Sequence, residues 1–515
     1  MLELKPKRKK VVLAWVILLT LGAGMACQMT SPRPASWAGT PTAEAWSTRI
    51  ALTQAAMGGQ DAFVFTPTAA TVLPDPTPTE TTTPTPRIES HGPWLVFPGT
   101  DGLGLQAYDI RAQTFTEILL PAPIIIADLV RGRAPDGSTL IMRAGSPKNT
   151  DEFALYQIDL PSFEVSQVSP LLSINLQRKI VNEEGTRPFE TLQTVTRPDG
   201  LAWSPDGRFL AFTAALHNET SDLYVLDTLN DRINRLNGLF TQNASPLWSP
   251  NGDWLISQEL EFVHRLESWR SELVTGLRVP TFDSQNTVYL PPIESQEEVF
   301  LGWLNAFTFF SYSRTDNTSR NLRQLNMDEL EARWIFAGEF QQAALDPGSG
   351  VLAFSLSFAS AIPQGLSGGL YRIQPESPIQ HLQTAGEWNH LAWDPGGMFI
   401  AAGAQGVLLF SPQGESLLLP GEGRAHLSPN GNWVIAWGDG EGSTAGARLY
   451  QSNNSNPLQT ITRHPVEALI WQPDSNGFFL LSEGTLAHYV FPGLSPIEVM
   501  SGFPPGTMLE WAWVE

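Results

Sequence analysis

The chain has 515 residues, 42% of them hydrophobic, with 17 Trp, 26 Phe, 43 Gly and 41 Pro, 16% charged residues and a formal net charge of −21. That length holds several ordinary domains or one large repeat domain, and its aromatic residues and turn formers fit many short strands. So acidic a chain repels phosphate backbones, which sets nucleic acid aside as a partner, and a single cysteine, Cys27, leaves neither an internal disulfide nor a multi-cysteine zinc site.

The chain opens with Lys5, Lys7, Arg8, Lys9 and Lys10 against Glu3, a net +4 that leaves −25 on the remainder. An apolar run, Val11 to Ala26, comes next. This is the order of an export signal, and the positive flank places the rest of the chain outside the cytoplasmic membrane. Leu21-Gly22-Ala23-Gly24-Met25-Ala26-Cys27 resembles a bacterial lipoprotein signal, which implies lipidation of Cys27. Ala26 suits that pattern, whereas Gly24 and Met25 depart from it. An uncleaved N-terminal helix is the other anchor compatible with the segment. Residues 1–27 are thus read as signal or anchor. Residues 28–91, densest in Thr and Pro from Thr66 to Pro86, have no hydrophobic period and read as a disordered stalk.

Residues 92–515 repeat. Leu201-Ala202-Trp203-Ser204-Pro205-Asp206-Gly207 recurs at Leu247-Trp248-Ser249-Pro250-Asn251-Gly252, at Leu391-Ala392-Trp393-Asp394-Pro395-Gly396-Gly397, and at Leu427-Ser428-Pro429-Asn430-Gly431. Looser copies stand at Pro135, Pro347 and Pro473, and a motif-free unit lies around Val299–Tyr312. Each Pro ends a strand and the following Asp/Asn-Gly completes a reversal. Alternating segments such as Asp222–Asp227 and Gly369–Ile373 supply a third strand. The second strands are apolar on both faces, so neighbouring sheets must cover them. The expected fold is all-β: a single β-propeller of four-stranded antiparallel blades, eight favoured and seven to nine allowed. The C-terminal Trp511-Ala512-Trp513-Val514 reads as a first strand and Pro93-Trp94-Leu95-Val96-Phe97 as a second, so the termini should pair and close the ring.

These repeats resemble the TolB-like family of β-propeller repeats, distant cousins of WD-type repeats, over most of 93–515. The resemblance implies an extracytoplasmic binding module or a propeller fused to a prolyl-peptidase domain, and no hydrolase domain is expected after this array. Gly365-Leu366-Ser367-Gly368-Gly369 matches G-x-S-x-G, but a strand pattern comes after it, so a hairpin loop is expected. The eight His form no H-x-x-x-H pair. No catalytic group, metal or cofactor is expected, and the chain is read as a non-enzyme. Candidate ligand contacts are His390 and His426, on innermost strands facing a central channel, and Trp269, placed in a loop. Segments 171–197 and 258–297 are expected to be irregular and to shape one face. The expected function is a membrane-tethered binding or scaffold protein that presents a propeller face to a protein or peptide of the cell envelope. The alternative is a carbohydrate- or small-ligand-binding propeller with hydrolase activity among its options.

Overall fold

The repeated motif is held by its serine. The Ser204 hydroxyl donates to Asp206 Oδ1 at 2.5 Å and accepts from the Phe209 amide at 2.8 Å, while the Gly207 amide donates to the Ser204 carbonyl at 2.9 Å. Ser249 with Asn251 and Trp254, and Ser428 with Asn430 and Trp433, repeat the arrangement at 2.8–3.0 Å. These serines are buried, so the hydroxyl stands in for water at the amide that opens the next strand. Gly207, Gly252 and Gly431 have φ of 72°, 73° and 71°, where a Cβ would be strained. In two copies a carboxylate replaces the hydroxyl: Asp346 and Asp394 accept from the Gly348 and Met398 amides at 3.0 and 2.6 Å.

The computed structural model describes residues 92–514 except 101–103, 125–127, 147–148, 218, 237–241, 264–267, 279–287, 291–296, 316–317, 347, 362–364, 375–376, 384–385, 395, 413, 439–445 and 508. Cys27 and the stalk lie outside the described residues. The strands form nine antiparallel sheets, numbered in chain order. Sheet 1 joins Trp94–Pro98, Gly104–Asp109 and Thr114–Leu119 to the C-terminal Ala512–Val514. Sheet 2 has three strands, Thr139–Ser146, Asn149–Asp159 and Glu164–Pro170. Sheets 3 to 9 have four strands each and open with Leu201–Trp203, Gln242–Trp248, Glu297–Trp303, Gln342–Leu345, Trp388–Trp393, Arg424–Leu427 and Val466–Trp471. Among the described residues, then, eight four-stranded sheets are joined by a ninth of three strands.

In sheet 2 the first strand shrinks to a bridge between Arg133 and Leu140, preceded by a one-turn helix, Leu129–Gly132. Gly132 permits that approach, because a Cβ there would lie 1.9 Å from the Ile141 carbonyl oxygen. Asp128, at the start of the helix, forms a fully buried ion pair with Arg143 at 2.7 Å. Arg143 also donates to the carbonyls of Val195 and Arg197 at 2.5 and 2.8 Å, tying sheet 2 to the connection that leads into sheet 3.

Phe209–Ala214 and Asp222–Asp227 are buried along their whole length, on both faces. The covering comes from adjacent sheets: each core cluster draws on two consecutive sheets. Val96 and Ala107 of sheet 1 meet Met142 and Tyr156 of sheet 2, and Ile400 and Val407 of sheet 7 meet Val434 and Tyr450 of sheet 8. One cluster joins sheet 9 back to sheet 1, packing Ile470, Phe479 and Leu481 against Leu95, Phe97, Tyr108 and Trp513. The termini pair as expected, with Trp94, Leu95 and Val96 opposite Val514, Trp513 and Ala512. Three of the indoles that close first strands tie their unit to the one before. Trp203, Trp248 and Trp393 donate to the carbonyls of Gly132, Ala202 and Ala344 at 2.8, 3.0 and 3.2 Å.

Strand alternation puts the Ser-Pro turns at one end of the sheets and the connections between sheets at the other. The second end carries the elaborations, and two segments expected to be irregular are regular. Residues 171–197 fold into helices Ile174–Val181 and Arg187–Val195. Leu176, Ile180, Leu192 and Val195 bury a stripe at helical spacing, and Ser173 caps the first helix by accepting from the Leu176 amide. Much of 258–297 extends a long hairpin, Trp254–Val263 with Ser268–Arg278. Trp269, expected in a loop, therefore lies on a strand opposite Phe262.

Removing residues 511–515 deletes the strand that seals sheet 1. Trp513→Ala alone is expected to cost about 3–5 kcal/mol, as a large buried side chain does, and the deletion more, read as a fall in the urea midpoint. A truncated protein that unfolds like the full chain would refute this. The same seam contains His488, 2% exposed, stacked on Phe479 at 4.3 Å and accepting from the Gln472 amide at 3.1 Å. Burial lowers its pKa to about 4 from an ordinary 6.5. The unfolded chain takes up that proton first, so the contribution is complete above about pH 6.5 and is lost as pH falls toward 4. His488→Gln should flatten the decline by on the order of 1 kcal/mol per pH unit in that window. Equal slopes for both proteins, from urea midpoints across pH 7 to 4.5, would count against it.

Candidate functional site

A cavity of about 410 Å³ opens between sheets 7 and 8, at the end that carries the connections between sheets. Asn389 and His390 reach it from the first strand of sheet 7, and Gly403 and Ala404 from the hairpin after its second strand. Glu422 comes from the connection into sheet 8, whose first strand begins with Arg424.

A break in the repeat creates this wall. Trp388 pairs with Gly403 and His390 with Ala402, so Asn389 is the extra residue of a β-bulge. Gly403 makes the approach possible, since a Cβ there would lie 1.8 Å from the Glu387 carbonyl oxygen. The bulge leaves Trp388 1% exposed in the core between sheets 6 and 7 while Asn389 is exposed. Bulges of this kind re-aim side chains.

Glu422 is 2% exposed. It ion-pairs with Arg448 and accepts from the Tyr450 hydroxyl at 2.7 Å. Arg448 and Tyr450 alternate on the strand Ala447–Gln451, so both present to one face. Burial, and then the bond to Glu422, raises the Tyr450 hydroxyl well above its ordinary range, so it stays a donor. The carboxylate is thereby neutralised from the third strand of sheet 8.

Of the two histidines proposed from the sequence, one lines this cavity. His390 lines the cavity, half-buried, and His426 sits two residues after Arg424 on the first strand of sheet 8. The His426 ring is reached by water yet hemmed in by protein, with Trp437 at 5.4 Å. Those surroundings, then the positive charge of His390 and Arg424, lower its pKa to about 4. Trp269 belongs to sheet 4. Ser367 of the G-x-S-x-G match is followed by a strand, Gly369–Ile373, and its carbonyl accepts from the Tyr371 hydroxyl at 2.5 Å. That is not the strand-turn-helix order of a nucleophile elbow. Among the described residues no group of three or more His, Cys, Asp or Glu is placed to hold a metal ion. Sequence reasoning missed Asn389, Glu422 and Arg424. The one signal for them was the pattern Gly421-Glu422-Gly423-Arg424, charges flanked by glycines.

No protein-family model and no curated protein matches the chain. Among solved structures it is similar to a eukaryotic initiation factor, at 10% identity over 82% of this chain and 98% of that one, with a TM-score of 0.51. It is also similar to Porphyromonas gingivalis dipeptidyl peptidase 4, at 13% identity over 77% of this chain and 64% of that one, TM-score 0.44. The oligogalacturonate lyase solved with manganese matches at 13% identity over 68% of this chain and 84% of that one, TM-score 0.35. The chain thus spans 64% of the length of the dipeptidyl peptidase. At these identities the likeness shows a propeller-type all-β fold. One expectation is corrected: the want of catalytic motifs pointed to a non-enzyme, whereas a peptidase, a lyase and a prolyl endopeptidase stand among the structural neighbours.

Glu422→Ala leaves Arg448 and Tyr450 without their acceptor and should lower stability by about 1–3 kcal/mol. Glu422→Gln, which keeps an acceptor for Tyr450, should lose less. Urea unfolding of the two variants checks the order, and equal losses would contradict the role given to Tyr450.

Proposed function

We propose that this chain is a binding module tethered outside the cytoplasmic membrane, with the cavity between sheets 7 and 8 as its ligand seat. Its body is one closed ring of nine blades built from TolB-like repeats. The closed ring is supported by the clusters shared between consecutive sheets and by the pairing of Leu95 with Trp513. The tether is supported by the basic and apolar N-terminus, by Cys27 and by the Thr/Pro-rich stalk. The partner is a protein or peptide of the envelope, and the cavity receives one end or side chain of it. The observation that carries this reading is the bulge at Asn389, where the regular repeat is broken so that polar side chains line an open cavity. Sites are made by such departures, and the fold itself names no ligand.

Two measurements test it. Cys27→Ser should abolish incorporation of labelled palmitate and release the protein into the soluble fraction. A variant that still fractionates with membranes points to the uncleaved helix instead. Ala404→Trp, at an exposed hairpin position of the cavity wall, should block the seat without touching the core. The full-length protein, screened in detergent on an array of short peptides with free C-termini, should lose its bound spots in this variant at unchanged melting temperature. An unchanged array pattern sinks the assignment of the seat.

A further inference from the structure

The protein carries a net charge of −21, yet among the described residues the polar side chains that reach this cavity, those of Asn389, His390 and Arg424, can donate hydrogen bonds. Asn389 and Arg424 are exposed in its lining and His390 is half-buried. Glu422, the carboxylate of the lining among the described residues, is 2% exposed; Arg448 and Tyr450 hold its Oε1 from behind, while its Oε2 is buried without a hydrogen-bond partner. Negative charge is therefore cancelled inside the wall, while positive charge is presented at its surface.

Geometry narrows the ligand further. Arg424 stands at the head of a strand, opposite Trp437, so its backbone is held by a sheet rather than by a loop. A guanidinium is a planar fork whose spacing matches a carboxylate. His390 and Arg424 each keep a contact within the protein. An arginine has five N–H donors, so an internal contact and a ligand are compatible. The bulge adds the Asn389 amide, a neutral donor, beside them. A volume of about 410 Å³ lies in the range of small-molecule sites and is too small for a folded partner. A dianionic phosphate would meet the repulsion of the acidic body, whereas one guanidinium suits one monovalent planar anion.

Taking this cavity as the ligand seat, we propose that it binds a carboxylate, carried by a small organic acid or by the C-terminus of a peptide, with Arg424 as the fork and Asn389 and His390 as flanking donors. The test uses the full-length protein in detergent and isothermal titration with N-acetyl-triglycine as the free acid, the same peptide as its C-terminal amide, butyrate, and inorganic phosphate. The free acid should bind and the amide should bind at least tenfold more weakly. Arg424→Gln should weaken the free acid by roughly ten- to hundredfold, the scale of a hydrogen bond to a charged group, at unchanged melting temperature. Arg424→Lys should recover part of the loss. Tighter binding of the peptide acid than of butyrate assigns the peptide source, and the reverse assigns the small acid. If Ala404→Trp abolishes binding while Arg424→Gln and amidation change nothing, the seat stands and the carboxylate assignment falls. If Ala404→Trp also changes nothing, both fall. Phosphate binding more tightly than every carboxylate, or no binding by any probe, overturns the assignment.

Discussion

A sheet that is apolar on both faces is stable only between two others. That constraint governs this chain: Phe209–Ala214 is buried throughout because sheets 2 and 4 flank it, and the same holds along the array. The first and last sheets face the same demand, and the pairing of Leu95 with Trp513 answers it by joining the two ends of the array. Loop-closure entropy grows only with the logarithm of the chain between paired residues, so a seam across the whole domain costs little more than a local one.

The repeat tolerates decay because its packing is shared out. In clusters such as those between sheets 7 and 8 and between sheets 8 and 9, most of the buried side chains come from second and third strands. Asp394 can replace the serine of the turn, since a carboxylate accepts from the same run of backbone as the hydroxyl did. Sheet 2 can exchange its first strand for a one-turn helix, because the Asp128–Arg143 pair and the Gly132 carbonyl supply the links that a strand edge would have made. A buried ion pair adds little net stability over an apolar substitute, but it fixes geometry, and here it fixes a helix where the ladder is missing.

The same economy explains where a site arises. Regular blades bury everything they carry, so an accessible polar cluster requires an irregularity. First strands of sheets 4, 5, 7 and 9 are all bulged. The bulge of sheet 7 differs from the rest in facing Glu422 and Arg424 across a cavity. The bulge residue, the glycine that admits it and the neutralised carboxylate belong to two sheets and a connection, so the site exists only once the sheets are stacked.

Turn chemistry and strand period are local, and the residues stated them outright. Ser204-Pro205-Asp206-Gly207 and its copies marked the hairpins, and the apolar runs after them demanded stacked sheets, so the all-β architecture and the pairing of the termini could be read from the chain. His390 and His426 could be placed on first strands by counting back from Trp393 and Pro429. Helices in 171–197 escaped because their apolar stripe, Leu176, Ile180, Leu192 and Val195, is spread among polar residues and is completed only by sheets 2 and 3. Trp269 was misplaced because its hairpin runs longer than the repeat period suggested. The tertiary structure alone decided that Asn389, His390, Glu422 and Arg424 share one cavity, and that Glu422 is neutralised by Arg448 and Tyr450. A bulge shifts the register by one residue, and a contact between sheets joins residues whose spacing in the chain carries no period, so neither leaves a trace in the order of amino acids.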